Sequence, residues 1–179
     1  MKPTHTLLAA ALFLPLACGA FELRSPDLAA NQSIPAAYYW NSFGCNGDNQ
    51  SPALYWKDAP AGTRSFAVTF YDPDAPTGSG FWHYVAYDLP ASTRHLDTGA
   101  LAAAALPPGA REGNTDLGKP GFFGPCPPLG RQHHYVWTVH ALSIDKLSVP
   151  EGASAAMTGF FLWQHTLDKA TLTVTAGPR

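Results

Sequence analysis

Short apolar runs, each cut off by a cluster of Pro, Gly, Asn or Asp, restrict what this chain can fold into. The runs are FELRS (21–25), ALYW (53–56), SFAVTFYD (65–72), FWHYVAYDL (81–89), HHYVWTVHAL (133–142) and TLTVTA (171–176). They alternate or are rich in aromatic and β-branched residues. Between them lie GCNGDNQSP, DAPAG, DPDAPTGSG and GKPGFFGPCPPLG. Such punctuation predicts a mostly β protein with antiparallel strands. With 17 Pro and 16 Gly, little room remains for helix. One helix is expected from about Pro150 to Lys169, where Met157, Phe160, Phe161 and Gln164 recur near helical spacing. Ala100 to Arg111 is rich in Ala and Pro and reads as a surface excursion. No internal repeat is visible, and 179 residues suit a single domain. Sparse charge and 12% aromatic residues describe a well-buried globule, which excludes a disordered chain.

The first 20 residues stand apart. Lys2 precedes the apolar run LLAAALFLPLA, and the small residues CGA follow it. That is the layout of a secretory signal peptide, too short to span a bilayer. Cleavage is expected after Ala20, giving a mature domain over 21–179 in the periplasm or outside the cell. Lipidation at Cys18 is disfavoured, because Pro15 stands where a lipoprotein signal takes Leu. Losing Lys2 leaves 10 basic against 13 acidic residues, a net charge of −3. No basic stripe is present, so nucleic acid is not an expected partner. No later segment is long enough to cross a membrane as a helix.

Without the leader two cysteines remain, Cys45 and Cys126. In an oxidising compartment an even count predicts a disulfide between them.

The register of the strands carries the functional reading. Side chains alternate along a strand. The row Phe66, Val68, Phe70 continues to Asp72, and the next row runs Phe81, His83, Val85, Tyr87, Leu89. Residues 73–80 join the two runs, which predicts a hairpin. Asp72 and His83 then meet at one end of the sheet on the core-facing side. The later run repeats the device, with His133 opening the row Tyr135, Trp137, Val139 just after GPCPPLG. Taken singly, a His on an apolar face is more often a hydrogen-bonded core residue, and an Asp before Pro a turn starter. His134, His140 and His165 are read as structural, and His95 as exposed.

Carboxylates beside two imidazoles allow three chemistries. Protonated imidazoles could hold an anion. In that reading Asp72 orients His83 and raises its pKa, and two charged His against one Asp leave a local sum of about +1. A metal is the second possibility, but no HxH or HExxH spacing appears. Hydrolysis is the third, but neither Ser51 nor Ser79 sits in a GxSxG elbow. Binding is therefore favoured over catalysis, with no cofactor.

DPDAP (72–76), the GFWHYV run and GPCPPLGRQHHYVW are similar to three signatures of the phosphatidylethanolamine-binding protein family. FGCNGDNQSPALYW, APAGTRSFAV, TDLGKPG and EGASAAMTGF resemble its bacterial, Raf-kinase-inhibitor-like branch, and the likeness covers nearly all of 21–179. The resemblance implies a β-sandwich of antiparallel sheets with one or two short helices. It also implies an anion pocket for phosphate or a phosphorylated head group. Its pocket positions fall on Asp72, Asp74, His83, Pro127, His133 and Tyr135, with Asp74 bracing the loop. Two departures stand out. His133-His134 replaces the common His-Arg, which puts any salt bridge of that Arg in doubt. Eukaryotic members carry a C-terminal helix beside the pocket, whereas this chain ends after a strand, so a more open pocket is expected and lipid affinity is not implied. The alternative function is inhibition of a protein partner, such as a protease or signalling enzyme, through the loops at 73–80 and 112–132. Exposed strand edges allow a homodimer.

Overall fold

The computed structural model describes residues 19–179, residue 103 excepted. The expected leader therefore lies almost wholly outside the described residues. In chain order the elements are β1 (Glu22–Arg24), β2 (Leu54–Lys57), β3 (Ser65–Asp72), β4 (Phe81–Pro90), β5 (His95–Leu96), β6 (Arg111–Glu112), β7 (His133–Leu142), α1 (Ala155–His165) and β8 (Thr166–Ala176). Two antiparallel sheets result, ordered β1-β2-β5 and β6-β4-β3-β7-β8. β3 is the centre of the larger sheet and has two neighbours, β4 and β7.

Three layers follow from the two faces of that sheet. Phe66, Val68, Phe70, Trp137 and Val139 pack inward with Leu54 and Trp56 of the small sheet. Ala67, Val85, Tyr87 and Leu142 face the other way and are covered by Ala155 and Leu162 of α1. Each large apolar side chain buried this way contributes roughly 1.5–3 kcal/mol. Phe70 stacks on Trp137 at 4.0 Å between ring centroids, which makes a rigid floor under the end of the sheet.

The expected row Phe81, His83, Val85, Tyr87, Leu89 does not share one face. β4 slips by one residue against β3 at two places, between Phe70 and Tyr71 and between Phe66 and Val68. Each slip is a bulge with one extra residue on β4. The first falls at His83, so Tyr84 and Ala86 continue the inward row while Val85 and Tyr87 turn toward α1. The second falls at Asp88, whose backbone is left-handed with φ 62°. Asp88 accepts Arg111 Nε and Leu147 N, both at 2.8 Å, and so ties β6 and the segment before α1 to β4.

The helix is shorter than expected and presents a different face. Ser154 caps it, accepting Met157 N at 3.2 Å, and the last turn leads directly into β8. Ala155, Thr158 and Leu162 are buried against the sheet, Gly159 passes close to Trp82, and of the expected stripe Phe161 is partly buried there. Met157, Phe160 and Trp163 therefore point to solvent. β8 begins five residues before TLTVTA, because ladder pairing with β7 carries the charged stretch Asp168-Lys169 into the strand. Within the Ala/Pro-rich excursion, Leu101 is buried, and its N–H donates to the hidden Ser51 hydroxyl at 3.1 Å.

Candidate functional site

A cavity of about 200 Å³ opens at the end of β3, β4 and β7. Five of the six pocket positions named from the sequence line it: Asp72, His83, Pro127, His133 and Tyr135. The sixth, Asp74, stands outside. Its Oδ2 accepts both the backbone N–H and Nδ1–H of His134 at 2.7 Å, which holds its carboxyl below the usual range. Asp74 thus braces the loop to β7, and a His–Asp contact occupies the place where an Arg salt bridge was in doubt.

The expected partnership of Asp72 with His83 is not formed. Asp72 Oδ2 lies 2.8 Å from Nδ1 of His133, and its Oδ1 accepts Asp74 N at 2.9 Å. The reason is the central position of β3. On its β7 side Tyr71 lies opposite Val136, so Tyr135 and His133 share the end of the sheet with Asp72. His83 instead places Nδ1 2.9 Å from the carbonyl of Phe123. A carbonyl only accepts, so His83 carries its proton on Nδ1. The expected upward shift is also reversed. Burial pushes the His83 pKa down to about 4, overriding the Phe123 carbonyl and the Asp72 charge. His83 is a neutral imidazole at physiological pH, and the local charge sum is 0 rather than +1 when His133 is protonated.

Both histidines spend Nδ1 on the protein, so each offers Nε2 to a guest. The two rings flank Tyr135, with centroids 5.3 and 6.4 Å from its ring. Burial, then the Asp72 carboxylate, raises the Tyr135 pKa, so its hydroxyl stays protonated.

Residues the sequence did not single out complete the site. Asn49 accepts Gly124 N at 2.8 Å and donates to the Phe122 carbonyl at 3.2 Å, straddling the peptide whose oxygen fixes His83. Gly124 is required there, since a Cβ would fall 2.3 Å from the Tyr38 carbonyl. Trp40 and Phe43 form part of the wall. In sequence, Asn49 is one more polar residue in a turn cluster and carries no distinguishing pattern. The expected disulfide is present: Cys45 and Cys126 are bridged with Cα atoms 5.8 Å apart, and Cys126 lines the cavity. Ser51 and Ser79 do not line it. Among the described residues no cluster of three or more metal-ligating side chains occurs. No helix among them is long and apolar enough to cross a membrane.

A two-sheet β-sandwich with one walled cavity at the strand ends, floored by a carboxylate and two imidazoles, defines a class of binding protein. The chain belongs to the phosphatidylethanolamine-binding protein family, whose model matches residues 24–177. It is 50% identical over 153 residues to the UPF0098 protein YbhB of Escherichia coli, covering 85% of this chain and 97% of that one. The crystal structure of E. coli YbcL, described as a member of the mammalian PEBP family, superposes with a TM-score of 0.85 at 38% identity. That match covers 90% of this chain and all of the other. The putative lipoprotein LppC of Mycobacterium tuberculosis is 31% identical over 151 residues, 84% of this chain and 69% of LppC.

Proposed function

We propose that this is an exported binding protein whose cavity takes a singly charged phosphate group. One observation carries the reading: two buried imidazoles line the same cavity with Nδ1 committed, one to a carboxylate and one to a carbonyl. His83 is neutral, and its Nε2 is an acceptor. His133 donates through Nε2 only when protonated, because its Nδ1–H is held by Asp72. A guest must therefore accept from one ring and donate to the other. A phosphate monoanion does both, with one oxygen anionic and one still protonated. With the local charge sum at zero, hydrogen bonds hold it rather than net attraction, and a dianion is disfavoured beside Asp72.

Export is supported by the leader-like first 20 residues, by the Cys45–Cys126 disulfide, which suits an oxidising compartment, and by the lipoprotein designation of LppC.

Titration calorimetry with inorganic phosphate tests the site. The phosphate monoanion gives way to the dianion in this range, so affinity at pH 6 should exceed that at pH 8 by about tenfold. Equal affinities would refute the reading.

A further inference from the structure

Phe43 is an aromatic side chain held in an unusual place. It lines the cavity mouth yet is 74% exposed. Its backbone is left-handed, φ 54°, a conformation bulky residues rarely adopt and one that clusters at binding sites. One ring face stacks on Trp40, with centroids 4.8 Å apart and planes 18° from parallel. Trp40 is in turn set by the edge of Phe123 at 5.4 Å.

The loop bearing this ring is tied down on both sides. Trp40 N donates to the Pro125 carbonyl at 3.0 Å. Two residues after Phe43 comes the Cys45–Cys126 disulfide, and Arg179 bonds the Gly44 and Pro127 carbonyls at 2.7 Å each.

Chemistry divides the cavity in two. The ionisable groups, Asp72, His83, His133 and Tyr135, sit together at the strand ends. The rest of the wall is chiefly apolar, with Phe43, Trp40, Leu117, Pro76 and Pro128 toward the mouth. About 200 Å³ is the liquid volume of about seven waters, more than one phosphorus and four oxygens fill.

Resting on the phosphate reading above, we infer that the ligand is a phosphomonoester bearing a flat aromatic group, which stacks on the open face of Phe43. The phosphate reaches the two imidazoles, and the ring completes a stack with Phe43 and Trp40. Ring stacking adds to the gain from apolar burial.

The probes are inorganic phosphate and phenyl phosphate, titrated at pH 6 into the mature protein, Phe43→Gly and Phe43→Tyr. Phe43→Gly removes the ring while suiting the left-handed backbone, so the loop keeps its shape. Phenyl phosphate should bind wild type about five- to tenfold more tightly than phosphate. That ratio should fall to near one in Phe43→Gly and return in Phe43→Tyr. A purely structural role would weaken both ligands alike and leave the ratio intact, which would overturn the inference. Phosphate binding with no preference for phenyl phosphate would overturn it alone. Binding of neither ligand would overturn the phosphate reading as well.

Discussion

Acid should weaken this fold well before its carboxylates titrate, through two imidazoles that the native state keeps neutral. His83 is 7% exposed, and its pKa falls from 6.5 to about 4 by burial. His140 is also lowered to about 4, by burial and then by the Lys169 charge. In the unfolded chain both rings take up a proton near pH 6.5, whereas the folded chain resists until about pH 4. Between those values the unfolded state binds more protons, so stability falls as pH falls and levels off below about 4. At about 1.4 kcal/mol per pH unit, lowering the pH from 7.5 to 4.5 costs about 2–3 kcal/mol through His83. The His140 ring is densely surrounded but keeps some accessible surface, so screening trims its share to about 1–2 kcal/mol. The sum, about 4 kcal/mol, is a large part of a typical domain's stability. Asp74 adds nothing in this window, since its carboxyl titrates below 3.8. Urea unfolding followed by Trp fluorescence measures the loss. His83→Gln should remove more than half of the pH dependence. A stability flat within about 1 kcal/mol from pH 7.5 to 4.5, or an unaltered slope in His83→Gln, would refute the assignment. So would a ring C–H resonance of His83 that titrates near pH 6.5.

Two further outcomes are expected. Asp72→Asn can accept Asp74 N–H with its oxygen and donate its amide to His133 Nδ1, which moves the neutral ring's proton to Nε2. Phosphate binding should then take up about one proton fewer, and log K against pH should flatten by up to one unit per pH unit, as calorimetry in buffers of different ionisation enthalpy would report. Opening the Cys45–Cys126 bridge releases a constraint across 81 residues of sequence, worth about 4 kcal/mol on the loop-entropy model. Dithiothreitol should therefore lower the melting temperature of wild type but not of the double variant Cys45→Ser/Cys126→Ser.

Strands are legible where local pattern and final environment agree. β3 and β7 coincide with their apolar runs end to end, because neither carries the extra residue of a bulge. β4 breaks the alternation twice, and nothing in FWHYVAYDL marks His83 or Asp88 as an extra residue. The helix misled for a related reason. Its large side chains have the conspicuous spacing, but Met157, Phe160 and Trp163 face solvent, and the sheet is met by Ala155, Thr158 and Leu162 with Phe161 partly buried beside them.

Composition and periodicity sufficed for an antiparallel β protein, for the cysteine pair and for Asp72, His83 and His133 sharing a cavity, while Pro127 and Tyr135 were named only through the family resemblance. These depend on neighbours along the chain, or on residue types whose options are few. Which imidazole Asp72 meets, which ring is neutral, and which residues hold Phe123 and Phe43 in place were decided only in three dimensions. Strand β3 can turn Asp72 toward either flank, and a hairpin is visible in one dimension while the β7 contact is not. Protonation is likewise set by how completely water is excluded around a ring, a quantity that exists only once the sheets have closed over it.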